Sequence, residues 1–162
     1  MKKRNISQNR KIDAIDRKIL AALQEDGRIS LADLSAHVGL SPSPCLRRVR
    51  LLERAGVIAR YVAVLNQPAV GLPVSVFVSI KLISQHEQEL ERFAKTITRW
   101  PEVLECYLMT GPRDYLLRVV VADLAAYERF LKQKLTRVEG ISSIESSFAL
   151  EQVKYTNVLP IA

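Results

Sequence analysis

The sequence predicts an α+β chain: a helical amino-terminal domain over residues 1–60, a hinge strand and linker over 61–73, and a βαββαβ domain over 74–162. Three observations predict it. Apolar residues recur at helical spacing in three short runs before Gly56, whereas from Val74 onward the pattern alternates between strand and helix periods. Glycine and proline punctuate the changes, at Gly39 to Pro44, Pro68 to Pro73, Gly111–Pro112 and Gly140. Charge is divided unevenly: residues 1–60 hold thirteen Lys and Arg against six Asp and Glu, so they carry the whole net +7, and the remainder holds eleven of each.

A helix starts at Asp13 or Asp16 and runs to Glu25, with Ile15, Ile19, Leu20 and Leu23 as its apolar stripe. Ser30 is suited to cap a second helix carrying Leu31, Leu34 and Val38, because its hydroxyl can accept an orphan backbone N–H. Gly39 stops that helix by taking the left-handed position that follows it. Ser41 caps a third helix, whose first turn holds Pro42 and Pro44; a missing N–H costs nothing there. Leu46, Val49 and Leu52 form its packing side, while Ser43, Arg47, Arg50 and Arg54 form the opposite side.

Beyond Gly56, the Val- and Ile-rich run 57–66 is predicted as a strand leaving the helical domain, and Pro68, Gly71 and Pro73 mark the boundary. Val74, Val76, Val78, Ile80 and Leu82 then alternate with Ser75, Phe77, Ser79, Lys81 and Ile83. A helix over 86–98 buries Leu90, Phe93, Ala94 and Ile97; strands over 103–110 and 115–122 form a hairpin around Gly111–Pro112. Asp123 caps a helix to about Arg137 with Leu124, Tyr127, Phe130, Leu131 and Leu135 inward, and residues 141–153 make the last strand. Both helices fall on one face of an antiparallel sheet. The other face, with Phe77 and Ile83, lacks a cover and is expected to be a homodimer surface through sheet faces or edges.

Two short helices joined by a glycine turn, the second carrying arginines along one side, predict a helix-turn-helix that reads duplex DNA. Arginine's planar fork fits phosphate oxygens and the O6/N7 edge of guanine. Ser43, Arg47 and Arg50 are placed to reach base edges or nearby phosphates; Arg28, Arg48 and Arg54 are placed to hold the backbone, with Ser41 beside them. Lys2 to Lys11 forms a basic arm. No apolar run approaches a membrane span, and Cys45 and Cys106 stand far apart outside any metal or disulfide spacing, so a cytoplasmic protein without metal is expected.

The stretches DGRIS, VGLSPSPCLRRVRLLERAGVI, TGPRDYLLRV and SSFALEQVKYT resemble the Lrp/AsnC, or feast/famine, family of transcription regulators, over about Ile12 to Leu159. The resemblance implies a winged or plain helix-turn-helix domain, a hinge strand, and a ferredoxin-like domain that forms homodimers, often octamers, and binds an amino-acid effector between dimers. It places the effector near a GxxD turn followed by an aromatic or aliphatic run. Here these are Gly111, Asp114 and Tyr115, with Leu108, Thr110 and Arg113 beside them. Asp114 would receive the effector's ammonium group, and Leu108 and Met109 point to an apolar amino acid such as leucine or methionine. Arg113 would either pair with Asp114 or meet the effector's carboxylate.

Catalysis has little to work with. His37 and His86 have no nucleophile in a recognisable motif nearby, and no P-loop, GxGxxG or GxSxG is present. The βαββαβ order also occurs in acylphosphatase-like enzymes and in RNA-binding modules. The former leaves the basic helices unexplained; the latter needs an aromatic platform that Tyr107 and Tyr115 supply without its usual signature.

Overall fold

A computed structural model describes residues 11–161, which form two compact units, 11–64 with 154–161 and 65–153. Residues 2–10 of the expected basic arm lie outside the described residues.

The first unit contains α1 (Ala14–Glu25), α2 (Leu31–Val38) and α3 (Pro42–Arg54). Asp13 caps α1: its side chain accepts the Asp16 N–H at 2.8 Å, and the Asp16 carboxylate faces back to the Asp13 N–H, a reciprocal capping box. Ser30 caps α2 by accepting the Asp33 N–H at 3.1 Å. Gly39, at φ 73°, turns the chain out of α2, and the Leu40 N–H closes the turn on the Ser35 carbonyl at 2.9 Å.

Ser41 occupies the cap position of α3, but its hydroxyl makes no cap hydrogen bond. A cap side chain accepts from the second or third helical residue; the third is Pro44, which has no N–H, and the bond to the second, Ser43, is not made. The buried stripe of α3 is Cys45, Val49 and Leu52, meeting Ile19, Leu20 and Ala22 of α1 and Leu34 and Val38 of α2 in one core. Leu46, expected in that stripe, is only half-buried; the i, i+4, i+7 spacing from Cys45 follows the helix period better than three-residue steps from Leu46.

Residues 57–66 form no strand in the described chain. Val57 and Ile58 instead donate to the Leu52 carbonyl, and the Tyr61 hydroxyl donates to Glu53 at 3.2 Å, so residues 57–61 turn back onto the end of α3. The terminal residues 154–161 cluster with this same unit, where Gln24 Nε2 donates to the Leu159 carbonyl at 3.3 Å and the Leu159 N–H donates to Gln24 Oε1 at 2.6 Å.

The second unit is β1 (Val74–Leu82), α4 (Glu87–Ile97), β2 (Val103–Leu108), β3 (Tyr115–Val121), α5 (Leu124–Gln133) and β4 (Ile141–Phe148). The antiparallel sheet runs β2-β3-β1-β4. Its inner face presents Val76, Val78, Ile80, Leu82, Tyr115, Leu117, Val119 and Val121 to Phe93 and Ile97 of α4 and Tyr127 and Phe130 of α5, with Leu135 from the short turn that follows. Leu124, expected inward, is exposed because it is the first residue of α5 and lies before the stripe begins. β4 stops at Phe148 instead of residue 153: Phe148 pairs with Val76, and β1 offers only two residues beyond that point.

The outer face is mixed, not uniformly apolar. Phe77 and Tyr107 are exposed on it, but Arg118 crosses its middle, donating to Glu105 Oε1 at 3.0 Å and to Gln67 Oε1 at 3.1 Å. Gln67 in turn donates to Ser75 Oγ at 3.1 Å, tying the turn before β1 onto the sheet.

Candidate nucleic-acid interface and effector site

The local sequence of α3 places its polar groups outward. With about 100° between successive residues, Ser43, Arg47, Arg50 and Arg54 fall within an arc of roughly 60° opposite the buried Cys45, Val49 and Leu52. All four are exposed. Arg54 Nε donates to the Arg50 carbonyl at 3.2 Å, which steadies its stem on the last turn. At the other end, Pro42 and Pro44 remove two of the donors that a helix start usually presents, and the Ser41 and Ser43 hydroxyls stand there beside the Ser43 N–H. Arg28, also exposed, follows Gly27 in the turn before α2, where its own N–H donates to Asp26 at 2.8 Å.

Arg48 departs from the expected set. Its Nη1 donates to Asp13 Oδ2 at 2.7 Å and to Asp16 Oδ1 at 2.9 Å, so this edge of the guanidinium is held by the acids at the start of α1. Asp16 is 1% exposed. The Asp16 N–H and then Arg48 hold the Asp13 carboxyl below its usual value, and hydrogen bonds to Asp13 and Asp16 hold the Arg48 guanidinium above its own. The D-x-x-D spacing at Asp13 and Asp16 signalled a helix start in the sequence; that both would meet an arginine some thirty residues later had no local signal.

In the second unit, Gly111 turns the β2–β3 connection at φ 108°. Leu108, Met109, Thr110 and Pro112 around it are exposed. The N–H groups of Thr110, Gly111 and Arg113 make no hydrogen bond within the described chain. Free N–H groups at a glycine turn, here the adjacent pair Thr110 and Gly111 and, beyond Pro112, Arg113, suit a carboxylate. A Cβ on Gly111 would meet no atom within 4 Å, so the turn's backbone is open to approach.

Asp114 and Tyr115 stand elsewhere than expected. Asp114 is buried; its Oδ2 accepts the Leu82 N–H at 2.7 Å and its Oδ1 accepts from Gln85 Nε2 at 2.6 Å. This carboxylate pins the turn to the end of β1, each of its oxygens already accepting one hydrogen bond. Tyr115 lies on the inner face, its ring 4.6 Å from that of Phe93 and its hydroxyl donating to the Leu90 carbonyl at 2.9 Å. It therefore cannot join Tyr107 in an aromatic platform for bases. Arg113 does not pair with Asp114: it donates to Ser143 Oγ at 2.8 Å and forms an ion pair with Glu145, both on β4. Gln85, Ser143 and Glu145 are the supporting residues that sequence reasoning missed.

A cleft of about 330 Å³ beside Val120, Ala126 and Phe130, rimmed by the Glu102–Lys134 ion pair, contains none of the expected effector residues. Among the described residues no group of His, Cys, Asp and Glu is arranged to hold a metal ion, and no helix is long and apolar enough to cross a membrane.

Residues 12–59 match the model of a winged helix-turn-helix DNA-binding domain, and residues 75–159 match that of the Lrp/AsnC ligand binding domain. The chain is 47% identical over 150 residues to the Bkd operon transcriptional regulator of Pseudomonas aeruginosa, covering 93% of this chain and 98% of that one. Among solved structures, an AsnC family transcriptional regulator from Agrobacterium tumefaciens superposes with a TM-score of 0.87 at 49% identity, covering 91% of this chain and 96% of that one. A transcriptional regulator from Neisseria meningitidis, solved as a complex with L-Met, superposes with a TM-score of 0.88 at 40% identity over 93% of this chain and 97% of that one. Relatives of this kind are regulators and not enzymes. A helix-turn-helix followed in the chain by a ligand binding domain is thus the make-up of a known group, and the chain belongs to the Lrp/AsnC family of transcriptional regulators.

Proposed function

We propose that Ser43, Arg47 and Arg50 of α3 enter the major groove of duplex DNA, with Arg54 of α3, Ser41 and Arg28 on neighbouring phosphates. The observation that carries this reading is the exposure of those four α3 side chains directly opposite a fully buried stripe. The protein acts as a homodimer, assembling further to an octamer, that lays two such helices into successive grooves one turn apart. Selection of binding duplexes from a random-sequence pool is expected to enrich a two-fold symmetric site. Its affinity should fall steeply with salt as phosphate contacts release counterions. Failure to enrich any sequence, or a stable monomer at micromolar concentration in light scattering, would overturn the proposal.

The effector is a small amino acid whose carboxylate is received by the free N–H groups of Thr110, Gly111 and Arg113, with Leu108 and Met109 beside an apolar side chain. The complex of the Neisseria regulator with L-Met supports methionine, with leucine as the close competitor. Titration calorimetry with the twenty amino acids is expected to give heat for methionine or leucine and none for aspartate. Heat for none of the twenty would remove the effector reading. Binding there would favour one assembly and thereby change DNA affinity by linkage. Cys45 and Cys106 are free thiols, which fits a reducing cytoplasm. The functional boundaries follow the sequence: DNA binding in 1–60, a hinge over 61–73 and effector binding and assembly from residue 74.

A further inference from the structure

Arg48 lies one residue from Arg47 and two from Arg50, yet it faces the flank of α3 and reaches back to α1. The apolar contact between Ile19, Leu20 and Ala22 on one helix and Cys45, Val49 and Leu52 on the other restrains α3 by packing, without any directional bond. The Arg48 clasp is directional. One of its acceptors, Asp16, is fully buried, and a buried carboxylate is tolerated only while it keeps a well-placed partner. A roll of roughly 20° would move a group about 6 Å from the helix axis by about 2 Å, beyond the tolerance of a bidentate hydrogen bond to a base edge.

We propose that Arg48 is a positioning residue of the DNA interface: by clasping Asp16 and Asp13 it fixes the roll of α3, so that Arg47 and Arg50 meet the groove in one register and discriminate between sequences. This rests on α3 being the DNA-reading helix, as proposed above. A phosphate-binding Arg48 predicts different behaviour. Losing it would weaken all duplexes alike and lower the salt dependence, and Asp16 would be irrelevant or inhibitory.

The test compares full-length wild type with Arg48→Met, Asp16→Asn and Arg48→Lys on two probes, a duplex enriched from the random pool by wild type and sheared heterologous DNA. Measurements are made where circular dichroism shows every variant folded. Arg48→Met and Asp16→Asn are each expected to reduce the ratio of specific to non-specific affinity by about tenfold or more. Non-specific affinity and its salt slope should be unchanged, and Arg48→Lys should recover part of the ratio. Should the single variants fail to fold, the apolar pair Asp16→Leu with Arg48→Met restores packing without a directional clasp; it should fold and still discriminate poorly. The proposal is overturned if Asp16→Asn keeps full discrimination, if Arg48→Met weakens both probes equally with a shallower salt slope, or if the apolar pair discriminates like wild type. Failure of α3 as the reading helix is a separate outcome, seen when Arg47→Ala with Arg50→Ala leaves specific affinity intact.

Discussion

Replacing both Arg47 and Arg50 with alanine is expected to weaken binding to the selected duplex by about 2 to 6 kcal/mol, while thermal stability changes by less than about 0.5 kcal/mol. The two side chains are exposed on the face opposite Cys45, Val49 and Leu52, so their removal opens no cavity. Alanine is also the best helix former, so α3 keeps its local preference. The Arg50 carbonyl that accepts Arg54 Nε is backbone and survives the substitution, leaving Arg54 where it is. The loss therefore reports groups that meet DNA and not a damaged scaffold. Leu52→Ala makes the contrast: Leu52 is fully buried, and its truncation should cost about 2 to 5 kcal/mol of folding stability, with DNA binding lost through unfolding. Fluorescence anisotropy against the selected duplex and sheared DNA, read beside thermal melts, separates the two. Specific affinity that survives the double replacement would remove α3 as the DNA-reading element.

Where partners are close along the chain, the sequence located them. Ser30 and Gly39 bound α2 because a hydroxyl acceptor and a left-handed turn are local requirements, and the alternation from Val74 to Leu82 reached the inner face of β1 intact. In the structure Tyr115, Leu117, Val119 and Val121 alternate onto the inner face of β3, whereas the resemblance to a GxxD-aromatic turn had suggested Tyr115 as an effector contact. The last strand is shorter than expected because residues 149–153 have almost no neighbouring strand left to pair with, β1 offering only Val74 and Ser75 beyond Val76. Arg48 and Arg113 show the harder limit. Each looked like a cation for a ligand, and each is engaged by acids about thirty residues away, Asp13 and Asp16 for one and Glu145 for the other. Nothing in the neighbouring residues encodes those meetings.

Asp114→Ala is expected to destabilise the second unit by about 2 to 4 kcal/mol, and Asp114→Asn by distinctly less. The register of β1 against β4 shifts between Lys81 and Leu82, and at this irregularity the Leu82 N–H donates to the Asp114 carboxylate at 2.7 Å. Alanine would leave that N–H buried without its acceptor and would also release Gln85. Asparagine keeps one oxygen for Leu82, while Gln85 can turn its amide to present its own oxygen to the new amide group. Thermal melts at fixed protein concentration, with hydrogen exchange at the Leu82 amide, would show the loss directly. The same pair of variants decides what Asp114 does for the effector. A carboxylate that holds the ammonium group predicts that Asp114→Asn abolishes methionine or leucine binding in a protein that is nearly as stable as wild type. A carboxylate that instead fixes the turn, so that Thr110, Gly111 and Arg113 present their N–H groups together, predicts that folded Asp114→Asn still binds within a few-fold of wild type. The two donors already on Asp114 favour the second result, and full loss of binding in a stable Asp114→Asn protein would return the ammonium contact to this residue.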